Sequence, residues 1–239
     1  MINRRRFIQL APAIAGSVCF GGENPETPVR SFTVADSANL KLFWKQADGT
    51  NIGTLAKLHQ HLEKSGHKPL CLMNAGIFDD DSAPLGLHVE DGKELRPLNT
   101  NRGEGNFFLD PNGVFAISAK DGKASIKRTT DTQIPHPRIA VQSGPLLVID
   151  GQPHPAFKPK SPNLQIRNGI GVTREGTIVL AISTKAICFH DFALHFRDVL
   201  HCPNALYLDG TISQCWLKGD DITRLPGKLF AGMLAVVEK

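Results

Sequence analysis

The chain has 239 residues, of which 41% are hydrophobic, and this is enough to bury one good core in a single domain. Lysine and arginine (27) only slightly outnumber aspartate and glutamate (23), and no basic stripe with interleaved aromatic residues is present, which argues against nucleic acid as the main partner. No apolar run in the interior of the sequence is long enough to span a membrane.

The N-terminus has the pattern of an export signal. A charged start with three consecutive arginines is followed by a short, mostly apolar run over residues 10–20, which fits a bacterial signal peptide. The Arg-Arg-x-Phe-Ile pattern resembles a twin-arginine signal, and an ordinary Sec signal is the alternative. We predict a signal peptide over residues 1–21, a polar linker over residues 22–30, a single domain over residues 31–239 and a periplasmic location.

Short strands are expected after the linker, followed by a helix over about residues 54–65. Leucines in this segment follow the i, i+3, i+7 spacing of an amphipathic helix, and Gly66 is a natural C-terminal stop. The helix leads into an apolar strand that ends at Asn74.

The middle of the chain is predicted to be a series of β-hairpins. An acidic residue or asparagine followed by glycine recurs between short apolar runs, at Asp91-Gly92, Asn112-Gly113, Asp121-Gly122, Asp150-Gly151 and Glu175-Gly176. Such pairs supply the positive φ angles that tight hairpin turns require. Their recurrence favours an antiparallel meander over β-α-β crossovers.

A second helix is predicted near residues 189–200, with Phe192, Phe196 and Val199 on its apolar face. We interpret the opposite face, which carries His195 and acidic neighbours, as a solvated surface rather than a metal site. These elements indicate an α+β fold, with twisted antiparallel sheets built from successive hairpins and covered by two main helices.

Polar residues stand at or near the ends of three apolar strands, at Asn74, Arg167 and Asp209. Strand ends of this kind can converge on one rim of a sheet, where functional sites are commonly built. A carboxylate at the end of a buried strand must be hydrogen-bonded or must face a site.

Four segments that contain these residues resemble, in this order, motifs of the phosphodiester glycosidase family. They are LMNAGIF (72–78), VQSGPLLV (141–148), RNGIGV (167–172) and ALYLDGTIS (205–213). They are similar to the family's Asn-Gly-Gly-Tyr-Phe strand end, Gln-x-Gly-Pro-x-Leu segment, Arg-Thr-Ala-Ile-Gly strand and Leu-Asp-Gly-Gly-Gly-Ser motif. Thr211 and Ile212 replace two of the family's glycines, and Asn168-Gly169 replaces Thr-Ala, which indicates a divergent bacterial branch.

The resemblance implies a hydrolase that cleaves the sugar C1–O bond of a sugar-1-phosphodiester, such as a GlcNAc-1-phosphodiester. Asp209 would be the key carboxylate, which stabilises an oxocarbenium-like centre or activates water. Arg167 would hold the phosphate with its planar fork of donors. Asn74 would position the hydroxyl groups of the sugar or the oxygens of the phosphate.

Further residues are predicted to bind substrate, through backbone N–H groups at glycines or through polar and aromatic side chains. They are Gly76, Phe78, Glu104, Gln142, Ser143, Gly144, Gly171, Gly210, Thr211 and Ser213. Glu104, in a glycine-flanked loop, is the best candidate for the second carboxylate of a glycosidase pair, but a solvated loop glutamate is the preferred interpretation.

No cofactor is expected. The acidic run that starts at Asp79 could hold calcium through hard oxygen ligands, but a solvated turn is the preferred interpretation. The cysteines beyond the signal peptide allow three pairings, which the sequence does not distinguish. Their spacing does not suggest a structural zinc site.

The expected partner is a glycan or sugar-phosphate substrate, with no nucleic acid and no membrane span after removal of the signal peptide. Two other functions remain open. Thr211 and Ile212 motivate a non-catalytic glycan-binding protein of the cell envelope. Asp209 together with the Asp79 run motivates a metal-dependent phosphodiesterase that cuts P–O bonds.

Overall fold

The computed structural model describes residues 20–21, 28–131, 133–209 and 211–238. Almost all of the predicted signal peptide and most of the predicted linker lie outside these residues, and both remain predictions. Val29 and Arg30, which the sequence places in the linker, begin a strand instead, because both pair with a neighbouring strand at Ser183 and Ile182.

The secondary structure of the described residues consists mainly of short strands. In chain order these are β1 (Phe20–Gly21), β2 (Val29–Val34), β3 (Leu40–Phe43), β4 (Lys68–Asn74), β5 (His88–Glu90), β6 (Lys93–Arg96), β7 (Gly113–Ser118), β8 (Ala124–Arg128), β9 (Pro137–Ser143), β10 (Leu146–Ile149), β11 (Gln152–Pro153), β12 (Asn168–Val172), β13 (Ile178–Ser183), β14 (Asn204–Asp209), β15 (Cys215–Leu217) and β16 (Met233–Glu238). The helices are α1 (Leu55–Lys64) and α2 (Phe189–Leu194), and α2 continues into a π-helical turn (His195–Val199). Single 3-10 turns lie at Ser37–Asn39, Asn106–Phe108, Thr129–Asp131 and Ile222–Arg224.

Within the described residues the strands form three sheets in which neighbouring strands are antiparallel. The seven-stranded sheet has the order β1-β2-β13-β12-β14-β10-β11, the four-stranded sheet β15-β4-β16-β3, and the five-stranded sheet β6-β5-β9-β7-β8. The predicted α+β class, with twisted antiparallel sheets and two helices, is confirmed. Neither helix of this part of the chain has the length and apolar character needed to cross a bilayer.

All three sheets contribute to one hydrophobic core. Residues such as Leu206 of the seven-stranded sheet, Met73 of the four-stranded sheet and Phe115 of the five-stranded sheet are buried in it together. The outer face of the seven-stranded sheet packs against α2, and the outer face of the four-stranded sheet packs against α1. This layering brings the ends of β4, β12 and β14 close to one another.

Helix α1 matches its prediction. The Thr54 hydroxyl accepts a hydrogen bond from the Lys57 N–H at 3.1 Å, which satisfies one of the free donors at the start of the helix. Three leucines on one face are buried, and Gly66 follows the helix with a φ of +78°.

The predicted turns are confirmed at all the Asp-Gly and Glu-Gly pairs, which connect β5 to β6, β7 to β8, β10 to β11 and β12 to β13. The prediction is wrong for Asn112-Gly113, because Gly113 is the first residue of β7. A Cβ at Gly113 would lie 2.5 Å from Leu146 Cδ2 and 2.7 Å from the Lys127 carbonyl oxygen. This glycine is needed for close packing and not for a turn.

Near the end of the second helix, the buried and exposed faces differ from the prediction. Phe192 and Phe196 are buried as expected, but Val199 is 42% exposed and His195 is only 4% exposed. The N–H of Leu200 donates to the carbonyl of His195, five residues back. This wider turn rotates the following residues away from the α-helical pattern. Burial lowers the pKa of His195.

The cysteines of the described residues are free thiols. The sulfur atoms of Cys71 in β4 and Cys215 in β15 lie 4.0 Å apart. Burial raises the pKa of Cys202 to about 12, so this thiol is protonated at neutral pH.

Candidate active site

The candidate site lies where the ends of two sheets meet. Asn74 is the last residue of β4 in the four-stranded sheet, and Asp209 is the last residue of β14 in the seven-stranded sheet. The Asn74 side chain donates from Nδ2 to Asp209 Oδ2 at 3.4 Å, although the two residues are 135 positions apart in the sequence. Two of the three predicted catalytic side chains are therefore in contact.

Asn168, the first residue of β12, connects these two strand ends. Its Nδ2 donates to the backbone oxygen of Asn74 at 2.8 Å and to Asn74 Oδ1 at 3.0 Å. Its Oδ1 accepts from the Asp209 N–H at 2.9 Å and contacts Ser213 Oγ at 3.0 Å. Because the Asn168 side chain is fully buried and uses both ends of its amide, it fixes Asn74 and Asp209 relative to each other.

The Asp209 carboxylate is held by a loop that folds back over the strand ends. The Thr211 N–H donates to Asp209 Oδ1 at 3.2 Å, and Ser213 Oγ also contacts the backbone oxygen of Asp209. The Gln214 N–H donates to Asn74 Oδ1 at 2.8 Å and so joins the end of this loop to the cluster. A carboxylate that is 7% exposed and fixed in this way can act on a substrate carbon without first reorganising.

The third predicted catalytic residue, Arg167, immediately precedes Asn168 and is 1% exposed. Its guanidinium lies 3.6 Å from the centre of the Phe189 ring. Nε donates to the Ile187 carbonyl at 2.9 Å, and Nη1 donates to the Tyr207 hydroxyl at 3.1 Å. Nη2 donates to the backbone oxygen of Asn163 at 2.9 Å and to its Oδ1 at 3.2 Å. All these partners are neutral.

Among the described residues no aspartate or glutamate oxygen lies within 4.0 Å of the Arg167 guanidinium, so this part of the chain provides no close counterion for its charge. Burial lowers the pKa of Arg167, and Tyr207 opposes this effect. A buried cation without a counterion is costly, so binding of an anion next to it would be favourable.

Tyr207, the only tyrosine of the chain, connects Arg167 with the Asp209 cluster. It lies two residues before Asp209 in β14 and accepts the hydrogen bond from Arg167. Burial raises the pKa of Tyr207; Asp209 adds to this effect, and Arg167 opposes it. The phenol therefore stays protonated between the two charged groups at neutral pH.

Asn168 and Tyr207 are not among the predicted site residues. In the sequence, Asn168 is a departure from the family motif, and Tyr207 is part of an apolar strand. The sequence feature that could identify both as site residues is a polar group inside a buried strand, because such a group must find a hydrogen-bond partner.

Gln142, Ser143 and Gly144 form the support beneath the site. Gln142 Oε1 accepts from the Leu87 and Asn99 N–H groups, and its Nε2 donates to the Asn99 carbonyl at 2.7 Å. Ser143 Oγ donates to the carbonyl of Leu208, the residue before Asp209, at 3.0 Å. A Cβ at Gly144 would lie 2.6 Å from the Phe107 carbonyl oxygen. These positions brace neighbouring loops and β14.

Two predicted residues that follow Asn74 have local packing roles. Gly76 has a φ of +81°, and a Cβ there would lie 3.0 Å from Val141 Cγ2. The half-buried Phe78 packs with Ile212 against the core beneath α1. Gly76 therefore turns the chain away from β4, and Phe78 anchors the segment that follows.

The remaining predicted residues lie differently. Thr211 is exposed, and Gly210 lies outside the described residues. Glu104 is exposed in the loop before the turn at Asn106–Phe108, and no hydrogen bond or ion pair among the described residues joins it to Asp209. The structure thus brings Asn74, Asp209 and Ser213 together, and not Glu104.

The Asp79 run is organised as a turn. Asp79 Oδ1 accepts from the N–H groups of Asp81 and Ala83 at 3.1 and 2.9 Å, and its Oδ2 lies 3.8 Å from Arg96 Nη2. In the part of the chain that the structure describes, no group of three or more potential histidine, cysteine or carboxylate ligands is arranged to hold a metal ion.

Gly171, another predicted substrate-binding residue, lies against the second helix. A Cβ there would lie 2.6 Å from Cys202 Sγ and 2.8 Å from Phe196 Cδ1. We expect Gly171→Ala to lower the free energy of unfolding by about 2 kcal/mol, measured by urea denaturation, because these packed groups must move apart. Gly227→Ala is the control, because a Cβ there meets nothing within 4 Å. Unchanged stability with a raised KM would favour a substrate contact instead.

Removing the Asn168 side chain tests whether it holds the site together. We expect Asn168→Ala to lower the free energy of unfolding by about 3 kcal/mol, because buried polar groups of Asn74 and Asp209 lose their partner. Urea denaturation measures this loss. Asn101→Ala, in an exposed loop, should change stability by less than about 0.5 kcal/mol. A loss at Asn168 no larger than that of the control would contradict its connecting role.

The chain is similar in sequence to known proteins. A sequence profile of the phosphodiester glycosidase family matches residues 68–228, which include Asn74, Arg167 and Asp209. An uncharacterized protein of Escherichia coli (strain K12), YigE, is 37% identical over 234 residues, which are 95% of this chain and 88% of that protein.

Solved structures support the same fold. The catalytic domain of zebrafish N-acetylglucosamine-1-phosphodiester alpha-N-acetylglucosaminidase, auto-inhibited by its pro-peptide, matches with a TM-score of 0.61 at 16% identity and covers 94% of this chain and 87% of its own. A hypothetical protein from Synechocystis matches with a TM-score of 0.55 at 14% identity, over 91% of this chain and 61% of its own. A protein from Burkholderia pseudomallei K96243, named as a candidate exported protein, matches with a TM-score of 0.55 at 13% identity, over 88% of this chain and 73% of its own. From the profile match, which spans more than half of its residues, the chain belongs to the phosphodiester glycosidase family.

Proposed function

We propose that this protein is an exported hydrolase that cleaves the sugar C1–O bond of a sugar-1-phosphodiester. Water adds to C1, and the phosphate leaves as a monoester that keeps the bridging oxygen. The observation that carries the proposal is the buried contact between Asn74 and Asp209, which Asn168 fixes at the meeting point of two sheets. Family membership supports the reaction class.

The proposed roles follow from charge and position. Asp209 stabilises the positive charge that develops at C1, either directly or by activating water. Arg167 neutralises the departing phosphate, and Asn74 orients the Asp209 carboxylate and the sugar. A phosphate monoester is already a good leaving group, so a second carboxylate such as Glu104 is not required as a general acid. No cofactor enters this scheme.

We propose GlcNAc-1-phosphodiesters as the substrate class and the periplasm as the location. The zebrafish enzyme that shares this fold carries the first in its name, and the Burkholderia protein is named as a candidate for export. The arginine-rich start of the sequence supports export, with the twin-arginine route as the proposed path.

The test is hydrolysis of UDP-N-acetylglucosamine and of a simpler GlcNAc-1-phosphodiester by the mature protein in heavy-oxygen water. A phosphate product without heavy oxygen would support C–O cleavage, because the bridging oxygen then stays on phosphorus. Heavy oxygen in the phosphate product, together with loss of turnover in chelator, would support a metal-dependent phosphodiesterase instead. Asp80→Asn, an exposed position in the acidic turn, is the matched control and should retain full activity in the glycosidase scheme.

One observation favours a binding protein as the second candidate. Ile212, which replaces a family glycine beside Asp209, packs with Phe78 against the core beneath α1. The loop that bears Thr211 and Ile212 is thereby bulkier and stiffer than a run of glycines would be. Binding of several GlcNAc-1-phosphodiesters without any turnover would support this candidate over the glycosidase.

A further inference from the structure

One short stretch of chain contacts the guanidinium of Arg167 through Asn163. Asn163 places two oxygen atoms on the same guanidinium nitrogen, its backbone oxygen at 2.9 Å and its Oδ1 at 3.2 Å from Nη2. A phosphate or carboxylate oxygen could accept from Nη2 in place of these two oxygens, because the guanidinium of arginine readily donates to such anions. In this conformation the neutral oxygens of Asn163 occupy positions that suit an anion.

The stretch that contains Asn163, residues 158–164, is weakly attached between its two ends. At one end the Phe157 ring stacks on Phe189 at 4.8 Å, and at the other Gln165 exchanges backbone hydrogen bonds with Ile187 at 2.9 and 3.2 Å. Within the described residues, the only hydrogen bonds from residues 158–164 to the rest of the chain are those of Asn163 to Arg167.

Few apolar contacts hold this stretch down. Leu164 is 51% exposed, and Lys158 and Lys160 are exposed. A segment with few buried contacts and few hydrogen bonds opens at a small cost in free energy. The two lysines would bring further positive charge to an anion that enters beneath them.

We propose that residues 158–164 form a lid over an anion site at Arg167, and that the Asn163 oxygens leave Nη2 when a phosphate group binds. This inference rests on the proposed function in one respect, that the anion in the reaction is the phosphate of the substrate. The exchange is favourable because a charged oxygen makes a hydrogen bond roughly twice as strong as a neutral one.

Inorganic phosphate is the probe for the test, because its binding does not depend on turnover. By isothermal titration calorimetry, Asn163→Ala should bind phosphate about tenfold more tightly than the wild type, which corresponds to about 1.4 kcal/mol. The Oδ1 that competes with the anion is absent in this variant. Leu164→Ala, on the same stretch but with a half-exposed side chain, is the matched control and should bind phosphate like the wild type.

Hydrogen exchange followed by mass spectrometry provides a second measurement. Phosphate should raise the exchange rate of the backbone amides of residues 158–164 in the wild type and should leave those of β12 unchanged. Arg167→Lys should abolish both the binding and this effect. Urea denaturation of each variant confirms that it is folded.

The possible results separate the lid from the reaction. Equal phosphate affinity in wild type and Asn163→Ala, or no phosphate binding to either, would overturn the lid, and turnover of GlcNAc-1-phosphodiesters would still support the glycosidase. Tighter binding by Asn163→Ala in a protein without any turnover would support the anion site and its lid while overturning the glycosidase reaction.

Discussion

Asparagine in place of Asp209 is expected to lower kcat for a GlcNAc-1-phosphodiester by about a thousandfold, with little change in KM. The amide has the shape of the carboxylate, and its oxygen can still accept from the Asn74 side chain or the Thr211 N–H. It cannot stabilise a positive charge at C1 or take a proton from water. Steady-state release of free sugar measures the effect.

Two controls make the result specific to the carboxylate. Urea denaturation of Asp209→Asn should show a folded protein, because the cluster around Asn168 stays hydrogen-bonded through the backbone of Asp209. Asp80→Asn removes an exposed carboxylate from the acidic turn and should keep wild-type kcat. If Asp209→Asn retained more than about a tenth of the wild-type kcat while folded, the carboxylate would not be the catalytic group.

The predicted elements were correct where local spacing decides the structure. Helix α1 is specified by its leucine spacing, by Thr54 at its start and by Gly66 after its end, all within one short window. The hairpins follow from Asp-Gly pairs for the same reason. The turn prediction at Gly113 is wrong because a side chain there would collide with Leu146 and Lys127. These residues lie outside the short window that a rule for turns considers.

The division into three sheets around one core could not be predicted from spacing. Strand β4 pairs with β15 and β16, which lie more than a hundred residues after it in the sequence. The alternation of side chains along a strand does not specify which strands pair. The π-helical turn after α2 is not predictable for a related reason, because a helical period of 3.6 residues does not describe residues 195–199.

The site was predictable only in part. Asn74 and Asp209 stood out because each ends an apolar strand, and their contact is found. Asn168 and Tyr207 do not stand out in the sequence, because a single polar side chain in a strand gives no indication of its partner. Gly171 fits a family motif, yet a Cβ there would meet Cys202 and Phe196, so its constraint is explained by packing alone.

Lysine in place of Arg167 is expected to lower kcat/KM for a GlcNAc-1-phosphodiester by about a hundredfold. Lysine keeps the positive charge but cannot donate at the same time to Ile187, to Tyr207 and to an anion along the directions of a planar fork. The loss of the stacking on Phe189 adds to the effect. Initial rates at substrate concentrations well below KM measure it.

A comparison of two substrates shows whether Arg167 acts on the phosphate. An aryl GlcNAc glycoside has the same sugar but a leaving group without phosphate, so Arg167→Lys should slow its hydrolysis much less than that of the phosphodiester. Asp209→Asn should slow both substrates to a similar extent, because the charge at C1 develops in either reaction. Equal losses for the two substrates in Arg167→Lys would mean that the arginine supports the fold around Tyr207 and does not hold the phosphate. Separate losses would divide the site into a phosphate half at Arg167 and a sugar half at Asp209, joined by Tyr207 and Asn168.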